Sequence, residues 1–187
     1  MLFESAQKWM VENSEIPDDY YCSNSAVFQS RLIKLQEELG RTTDKELGQT
    51  FPLIVAIAGE IGNNSFDHNL GNWPNVPGIF FAYDLEGKEI ILADRGQGIL
   101  TTLKRSRPDL TDDAEALRVA FTEIISGRAP EVRGNGLKFV KEVVRANQFY
   151  LKFQTGNASL ELKQGERDLV VNKTESIFRG CLAQIKF

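Results

Sequence analysis

The stretch Glu60 to Asn69, read Glu-Ile-Gly-Asn-Asn-Ser-Phe-Asp-His-Asn, ends an apolar run that begins at Phe51 and carries proline in its first turn, as helix starts often do. One apolar stripe of this helix comprises Leu53, Ile54, Ile57 and Ile61. Glu60, Asn64 and His68 lie along the edge of that stripe, where desolvation is costly unless something binds them. The pattern predicts a functional site. Its alternative, polar residues at a fraying helix end, suits His68 and Asn69 better than Glu60.

The composition bounds the class of protein. A chain of 187 residues with 42% hydrophobic and 26% charged residues is predicted to form a soluble globular protein with a sizeable core. The net charge is −4 with acids and bases interleaved, which argues against partners such as nucleic acid or an anionic membrane. No apolar run approaches the length of about 20 residues that spans a bilayer, and no signal peptide is evident. We therefore expect a cytoplasmic protein.

The chain is divided into an N-terminal helical extension, residues 1–47, and a main domain, residues 48–187. Apolar periodicity predicts helices over 3–11, 25–39, 51–69, 112–125 and 137–147, and strands over 79–83, 89–93, 149–154, 159–163 and 180–187. Glu86-Gly87 suggests a tight hairpin turn between the first two strands. The segment 165–179 stays undecided between an irregular stretch and a long hairpin.

A second polar motif, Asp94-Arg95-Gly96-Gln97-Gly98, ends the second predicted strand. The carboxylate of Asp94 could accept a hydrogen bond from an exocyclic amine such as that of adenine. Gly96 and Gly98 allow the backbone to turn sharply and to approach a flat ligand. Many ordinary strand-to-loop turns have the same pattern, so the motif alone does not distinguish a ligand-binding site from an ordinary turn.

A third motif, Gly134-Asn135-Gly136, precedes the last predicted helix. Backbone amides at a helix start favour anions, and Arg128 and Arg133 flank the motif and could pair with phosphate oxygens. An ordinary loop with a glycine N-cap is the alternative. The motif is not a P-loop, because the Gly-x-x-x-x-Gly-Lys-Ser/Thr pattern is absent from the sequence.

The order of the three motifs resembles the GHKL, or Bergerat-fold, ATPases, which include type II topoisomerases, histidine kinases and anti-sigma serine kinases. Glu60 and Asn64 match the N-box of that superfamily, Asp94 to Gly98 its G1 box, and Gly134 to Gly136 its G2 box. The resemblance covers about residues 50–187. It implies an α/β (α+β) fold, a two-layer sandwich with helices on one face of a mixed β-sheet.

The resemblance also implies a role for each matching residue. Asn64 would ligate a Mg²⁺ ion that bridges the phosphates of ATP, and Asp94 would bind the adenine amine. Glu60 would orient or deprotonate the attacking water or acceptor. Gly134 to Leu137 would hold phosphates, and Ile99 to Arg133 would form a lid over the nucleotide. The lid carries cations that we expect to lack fixed partners until phosphates arrive: Lys104, Arg105, Arg107, Arg128 and Arg133.

Three residues differ from the pattern of the whole family or from that of one of its branches, or match one branch in particular. Cys181 stands where the family usually has threonine beside the adenine, so that contact is altered. Asp67 stands where many histidine kinases carry a basic phosphate ligand. His68 has the position seen in anti-sigma kinases, and as the sole histidine it leaves no separate phosphoacceptor histidine in the chain.

Two functions follow as expectations. The first is an enzyme that hydrolyses ATP or transfers its terminal phosphate to a partner protein, with Glu60 as the base. The second is a nucleotide-gated protein-interaction module in which ATP only orders the lid. The partner or phosphoacceptor stays unidentified, and a homodimer is left open.

Overall fold

The computed structural model of the chain describes residues 1–12, 15–74, 76–123 and 135–187. The helices are α1 (Leu2–Glu12), α2 (Ser25–Gly40), α3 (Lys45–Asn69), α4 (Gly98–Leu103), α5 (Asp113–Thr122) and α6 (Gly136–Ala146). The strands are β1 (Tyr21–Cys22), β2 (Ile79–Asp84), β3 (Glu89–Asp94), β4 (Tyr150–Lys163) and β5 (Val171–Lys186). They form one sheet in the order β1-β2-β3-β5-β4.

The architecture is the α/β sandwich that the sequence predicts, with a correction to the sheet. All four strand pairings are antiparallel, so the sheet is not mixed. β5 runs between β3 and β4 and is antiparallel to both. The chain therefore returns from α6 to an outer strand and enters the middle of the sheet last.

Both faces of the sheet are apolar, because successive side chains of a strand point to opposite faces. The helix face, which packs against α2, α3, α5 and α6, carries Ile79, Phe81, Ile90, Leu92, Ala183 and Ile185. The far face carries Phe80, Ala82, Ile91, Ala93, Phe178 and Leu182. Strands covered on both faces read as nearly continuous apolar runs, which is why β2 and β3 were predicted well.

α1 covers the far face, whereas the sequence predicted helices on one face only. Its buried side chains Ala6, Trp9 and Met10 pack against the far-face residues of β2, β3 and β5. The amphipathic pattern predicts the helix but does not tell which face of the sheet it covers. α1 thus forms part of a second core, and α2 contributes to the main one.

α3 is longer than predicted because it begins at Lys45 and not near Phe51. The side chain of Asp44 caps it by accepting hydrogen bonds from the amides of Glu46 and Leu47, at 3.0 and 3.1 Å. Pro52 therefore lies inside the helix, beyond its first turn. α3 packs against α2, and its polar end lies over β3, where Ser65 meets Asp94.

β4 reverses direction at Gly156, where φ is +54°. Lys152 Nζ lies 3.8 Å from Glu161 Oε1, although nine residues of one straight strand would span about 30 Å. Lys163 Nζ likewise lies 5.8 Å from the ring centroid of Tyr150. The strands predicted on either side of Gly156 are therefore two arms of one hairpin. β5 begins within the stretch that the sequence left undecided.

The segment between β3 and α6 is partly fixed in the fold. α5 is shorter than the predicted helix over 112–125, and its Leu117 and Phe121 are fully buried in the main core. Arg107 pairs with Asp109 at 2.9 Å and with Glu123 at 2.7 Å, so the expectation that it lacks a fixed partner is wrong. Among the described residues, no helix combines the length and apolar composition needed to cross a bilayer.

Candidate functional site

Three paired residues lie at the floor of the candidate site, and two of them, Asp94 and Cys181, line its pocket. Asp94 pairs with Cys181, and Cys181 pairs with Thr155, so the row crosses β3, β5 and β4. In each strand the residue two positions away belongs to the main core, and side chains two apart in a strand point to the same face. All three side chains therefore point toward the helix face. The sheet thus presents a carboxylate, a thiol and a hydroxyl side by side.

Asp94 is 2% exposed and accepts several hydrogen bonds. Ser65 Oγ donates to Oδ2 at 2.7 Å, and the amide of Gly96 donates to Oδ1 at 2.8 Å. Burial raises the pKa of this carboxyl, while hydrogen bonds from Ser65 and from the amides of Gly96 and Cys181 oppose the rise. A buried acceptor that is held by neutral donors suits a neutral donor group on a ligand.

Thr155 and Cys181 tie the floor to the loop above it. Thr155 Oγ1 donates to the carbonyl of Gly180 at 2.9 Å and accepts from the amide of Ile99 at 3.2 Å. Cys181 Sγ lies 3.7 Å from the same hydroxyl. Burial, and then the charge of Asp94, raise the pKa of the Cys181 thiol well above its usual value. The thiol is therefore a neutral, weakly polar wall at neutral pH.

One side of α3 forms the wall of the site. Asn64 and His68 are half-buried, and both line the pocket that lies between α3, the floor and α4. Asn69 is buried, donates from Nδ2 to the carbonyl of Ser65 at 2.8 Å, and accepts from the amide of Gln97 at 2.8 Å. The end of α3 is thereby fixed to the loop that follows Asp94. The fraying-end alternative does not describe Asn69.

The start of α6 approaches α3 at the opposite end of the pocket. A Cβ added to Gly136 would fall 2.5 Å from Glu60 Oε2 and 3.4 Å from Asn64 Nδ2. The first of these distances is too short for a real contact, so a residue with a Cβ at this position would displace the carboxylate. The backbone at the helix start is therefore within reach of whatever lies against Glu60 and Asn64. Asn135 is exposed just before it.

The loop after β3 brings two glycines to the site. Gly96 is buried against Asn69, and Gly98 adopts a φ of +77° at the start of α4. That conformation turns the chain so that Ile99 can meet the pocket. Arg105 is held by a hydrogen bond of 2.9 Å to Gln97 Oε1, so it too has a partner before any ligand arrives.

The pocket encloses about 90 Å³. Eight predicted site residues line it: Asn64, His68, Asp94, Gly98, Ile99, Gly136, Leu137 and Cys181. Seven further residues complete the lining: Ile61, Ser65, Asn69, Thr102, Leu103, Ala120 and Phe153. Of the other predicted residues, Glu60, Gly96 and Asn135 adjoin this lining. Arg128, Arg133 and Gly134 lie outside the described residues.

Mg²⁺, which the resemblance implies, fits the residues that meet at Gly136. The ion usually takes one or two protein oxygens and completes its shell with water and phosphate oxygens. Asn64 supplies an amide, and Glu60 places a carboxylate beside it. The described part of the chain has no cluster of three His, Cys, Asp or Glu side chains that could hold a metal by itself. Such a site would therefore need the phosphates of a ligand.

The site residues that sequence reasoning missed include Ser65, Asn69 and Thr155. Ser65 and Asn69 belong to the same ten-residue stretch as Glu60 and lie four apart, which is one helical turn and a usable signal. Thr155 gave no such signal, because a threonine in a strand is ordinary. Its role appears only when β4, β5 and the loop before α4 meet.

Comparison with known proteins does not name this arrangement. The chain matches no protein-family model, and no curated protein matches it significantly. The candidate site therefore rests on its own residues and on the order of the three motifs.

Proposed function

We propose that this chain binds ATP with Mg²⁺ in the pocket between α3, the Asp94 row and the start of α6. In this proposal the adenine lies at the floor, where Asp94 accepts a hydrogen bond from its amine. The phosphates lie toward Gly136, where helix amides and the macrodipole favour anions. The observation that carries the proposal is that the buried carboxylate of Asp94 and the helix start at Gly136 line one pocket, with the half-buried carboxylate of Glu60 beside Gly136.

The reaction we propose is hydrolysis of ATP or transfer of its terminal phosphate to a partner protein. Glu60 lies where a carboxylate could orient or deprotonate the acceptor of the phosphate, and Asn64 is the side chain that would hold the metal. The metal would neutralise charge on the phosphates. In its motif order, and in the helix and strand ends that carry the motifs, the chain resembles the GHKL ATPases.

A titration of the full chain with ATP and Mg²⁺, followed by calorimetry, tests the binding step. Asp94→Asn should weaken binding by about 10- to 100-fold, because it removes a charged hydrogen-bond acceptor from a buried position. Asp18→Asn, an exposed change before β1, is the matched control and should bind like the wild type. Equal affinities for wild type and Asp94→Asn would contradict the assignment of the floor to adenine.

Turnover distinguishes catalysis from binding alone. Glu60→Gln should keep ATP bound and reduce phosphate release by about 10²- to 10⁴-fold, the usual loss when a general base is removed. Glu46→Gln changes an exposed residue near the start of the same helix and should leave the rate unchanged. The second candidate, a nucleotide-gated interaction module, is favoured by the position of Glu60, which adjoins the described lining of the pocket without belonging to it. Wild-type binding without turnover or phosphotransfer would establish that candidate.

A further inference from the structure

The alternation of β3 sends two neighbouring side chains to opposite faces of the sheet. Asp94 follows Ile90 and Leu92 toward the helix face, where it lies under the pocket. Arg95 follows Ile91 and Ala93 toward the far face. The residue next to the proposed adenine-binding carboxylate therefore belongs to the opposite side of the molecule.

Arg95 meets α1 on that side. Its guanidinium carbon lies 4.2 Å from the ring centroid of Trp9, a cation–π geometry. Trp9 is 2% exposed, and its ring lies 6.2 Å from that of Phe80 on β2. Burial lowers the pKa of Arg95, and the neighbouring Tyr21 opposes this. Trp9 is buried and Arg95 is half-buried, so the contact is partly removed from water, and such removal strengthens a cation–π pair.

The loop that carries Arg95 is held from both sides. On the helix face, Asn69 packs against Gly96 and accepts the hydrogen bond of the Gln97 amide. On the far face, Trp9 covers Arg95. The Asp94 side chain closes the loop by accepting from the amide of Gly96. A ligand that hydrogen-bonds to Asp94 therefore contacts the same short loop that α1 contacts through Arg95.

We propose that Arg95 and Trp9 are a positioning pair that couples α1 to the pocket. Nucleotide binding then changes the packing of α1 around Trp9, and α1 in turn changes the affinity for nucleotide. This inference rests on the proposed function, since the ligand is ATP. Coupling between two sites is reciprocal. Loss of the Trp9 contact must therefore change the affinity for ATP by the same factor by which ATP changes the equilibrium constant for the packing of α1 on the sheet.

The test uses the full chain with Trp73→Phe, which leaves Trp9 as its sole tryptophan. Trp9 emission, excited at the red edge of indole absorption, is followed during titration with ATP and Mg²⁺, and calorimetry measures binding independently. We expect the emission to change along the calorimetric isotherm. Arg95→Met should abolish the emission change and shift the affinity by about 2- to 10-fold. Arg41→Met, an exposed arginine after α2, is the matched control and should change neither readout.

A double-variant cycle completes the experiment. Trp9→Leu should shift affinity by the same factor as Arg95→Met, and the two together should shift it no further, because they remove one interaction. If Trp9→Leu does not fold, Arg95→Met and the emission readout still decide the matter. Calorimetric binding with unchanged emission and a wild-type affinity in Arg95→Met would overturn this inference alone. Absence of any binding would overturn the proposed function and this inference with it.

Discussion

Asp94 combines two opposing demands at one side chain. Its burial disfavours the charged form, yet the charged form is the stronger acceptor for a ligand amine. The hydrogen bonds from Ser65 and Gly96 orient both carboxyl oxygens, so the residue is positioned before any ligand arrives. We infer that part of the fold's stability is given up here for binding.

Melting temperatures of the ligand-free protein over a series of pH values test whether the buried charge of Asp94 lowers the stability of the fold. A carboxyl whose folded-state pKa is raised contributes its full stability below its unfolded pKa of about 3.9 and loses that contribution as pH rises through the folded pKa. Asp94→Asn removes the buried charge. It should therefore melt above the wild type at neutral pH, with a gap that narrows as the pH falls toward about 4.

Asp109→Asn is a control for which we expect the opposite pH dependence of stability. Arg107 holds the pKa of Asp109 below its usual value, so this stability is present at neutral pH and is lost as the pH falls. The variant should melt at or below the wild-type temperature at neutral pH. A lower melting temperature for Asp94→Asn at neutral pH would mean that its hydrogen bonds outweigh the cost of burying its charge.

Thr155 offers a separate prediction. Thr155→Val keeps the side-chain shape but leaves the amide of Ile99 and the carbonyl of Gly180 without the hydroxyl that joins them. We expect chemical denaturation to show a loss of about 1 to 3 kcal/mol, the cost of unpaired buried polar groups. Thr155→Ser keeps the hydroxyl and should recover most of that loss. Equal stability of the valine and wild-type proteins would remove Thr155 from the account.

Among the elements, α4 and α5 divide the proposed lid into unlike parts. α5 is docked by Leu117 and Phe121 in the main core, whereas α4 packs with α5 in a small separate cluster around Leu103 and Leu110. The sequence predicted one helix in this segment, over 112–125, and α5 corresponds to residues 113–122 of it. Ile124 and Ile125 lie outside the described residues.

Hydrogen exchange measures this division. Residues 113–122 should be well protected without nucleotide and gain little when a non-hydrolysable ATP analogue binds, because the apolar side of α5 is already buried. Residues 98–103 include four that line the pocket, Gly98, Ile99, Thr102 and Leu103, and should gain protection with the analogue and less with ADP. Equal protection of α4 in the nucleotide-free, ADP and analogue states would mean that no part of this described segment responds to the ligand.

Some elements could be predicted from sequence because their signals are local. Apolar runs identify β2 and β3, and Gly156 divides the predicted tail strands at the point where β4 reverses. Glu60, Asn64 and Asp94 could be predicted as site residues because each is polar beside an apolar pattern. The start of α3 was missed because Pro52 suggested a helix start more strongly than the Asp44 cap did.

Long-range features could not be predicted in the same way. The choice of face by α1 depends on far-face residues that come from three strands distant in sequence. The antiparallel sheet follows from the last strand entering between β3 and β4, which no local pattern encodes. The partners of Arg105 and Arg107 likewise depend on how the chain folds, because Gln97 precedes α4 and Glu123 follows α5.

At the scale of the whole molecule, one sheet separates two cores, and the loop after β3 contacts elements on both sides of it. The helix face holds the pocket between α3 and the Asp94 row, and the far face holds α1. Asp94 and Arg95 stand on either side of that division. The residues 1–47, for which the sequence offered no role, therefore include an element that contacts the site loop from behind.

The central claim is that one pocket binds ATP with its adenine at Asp94 and its phosphates at Gly136. A crystal structure of the full chain with a non-hydrolysable ATP analogue and Mg²⁺ tests it most directly. The account predicts the adenine amine within hydrogen-bonding distance of Asp94, and phosphates between the start of α6, Glu60 and Asn64. An analogue bound elsewhere, or in this pocket with its phosphates at Asp94, would contradict it.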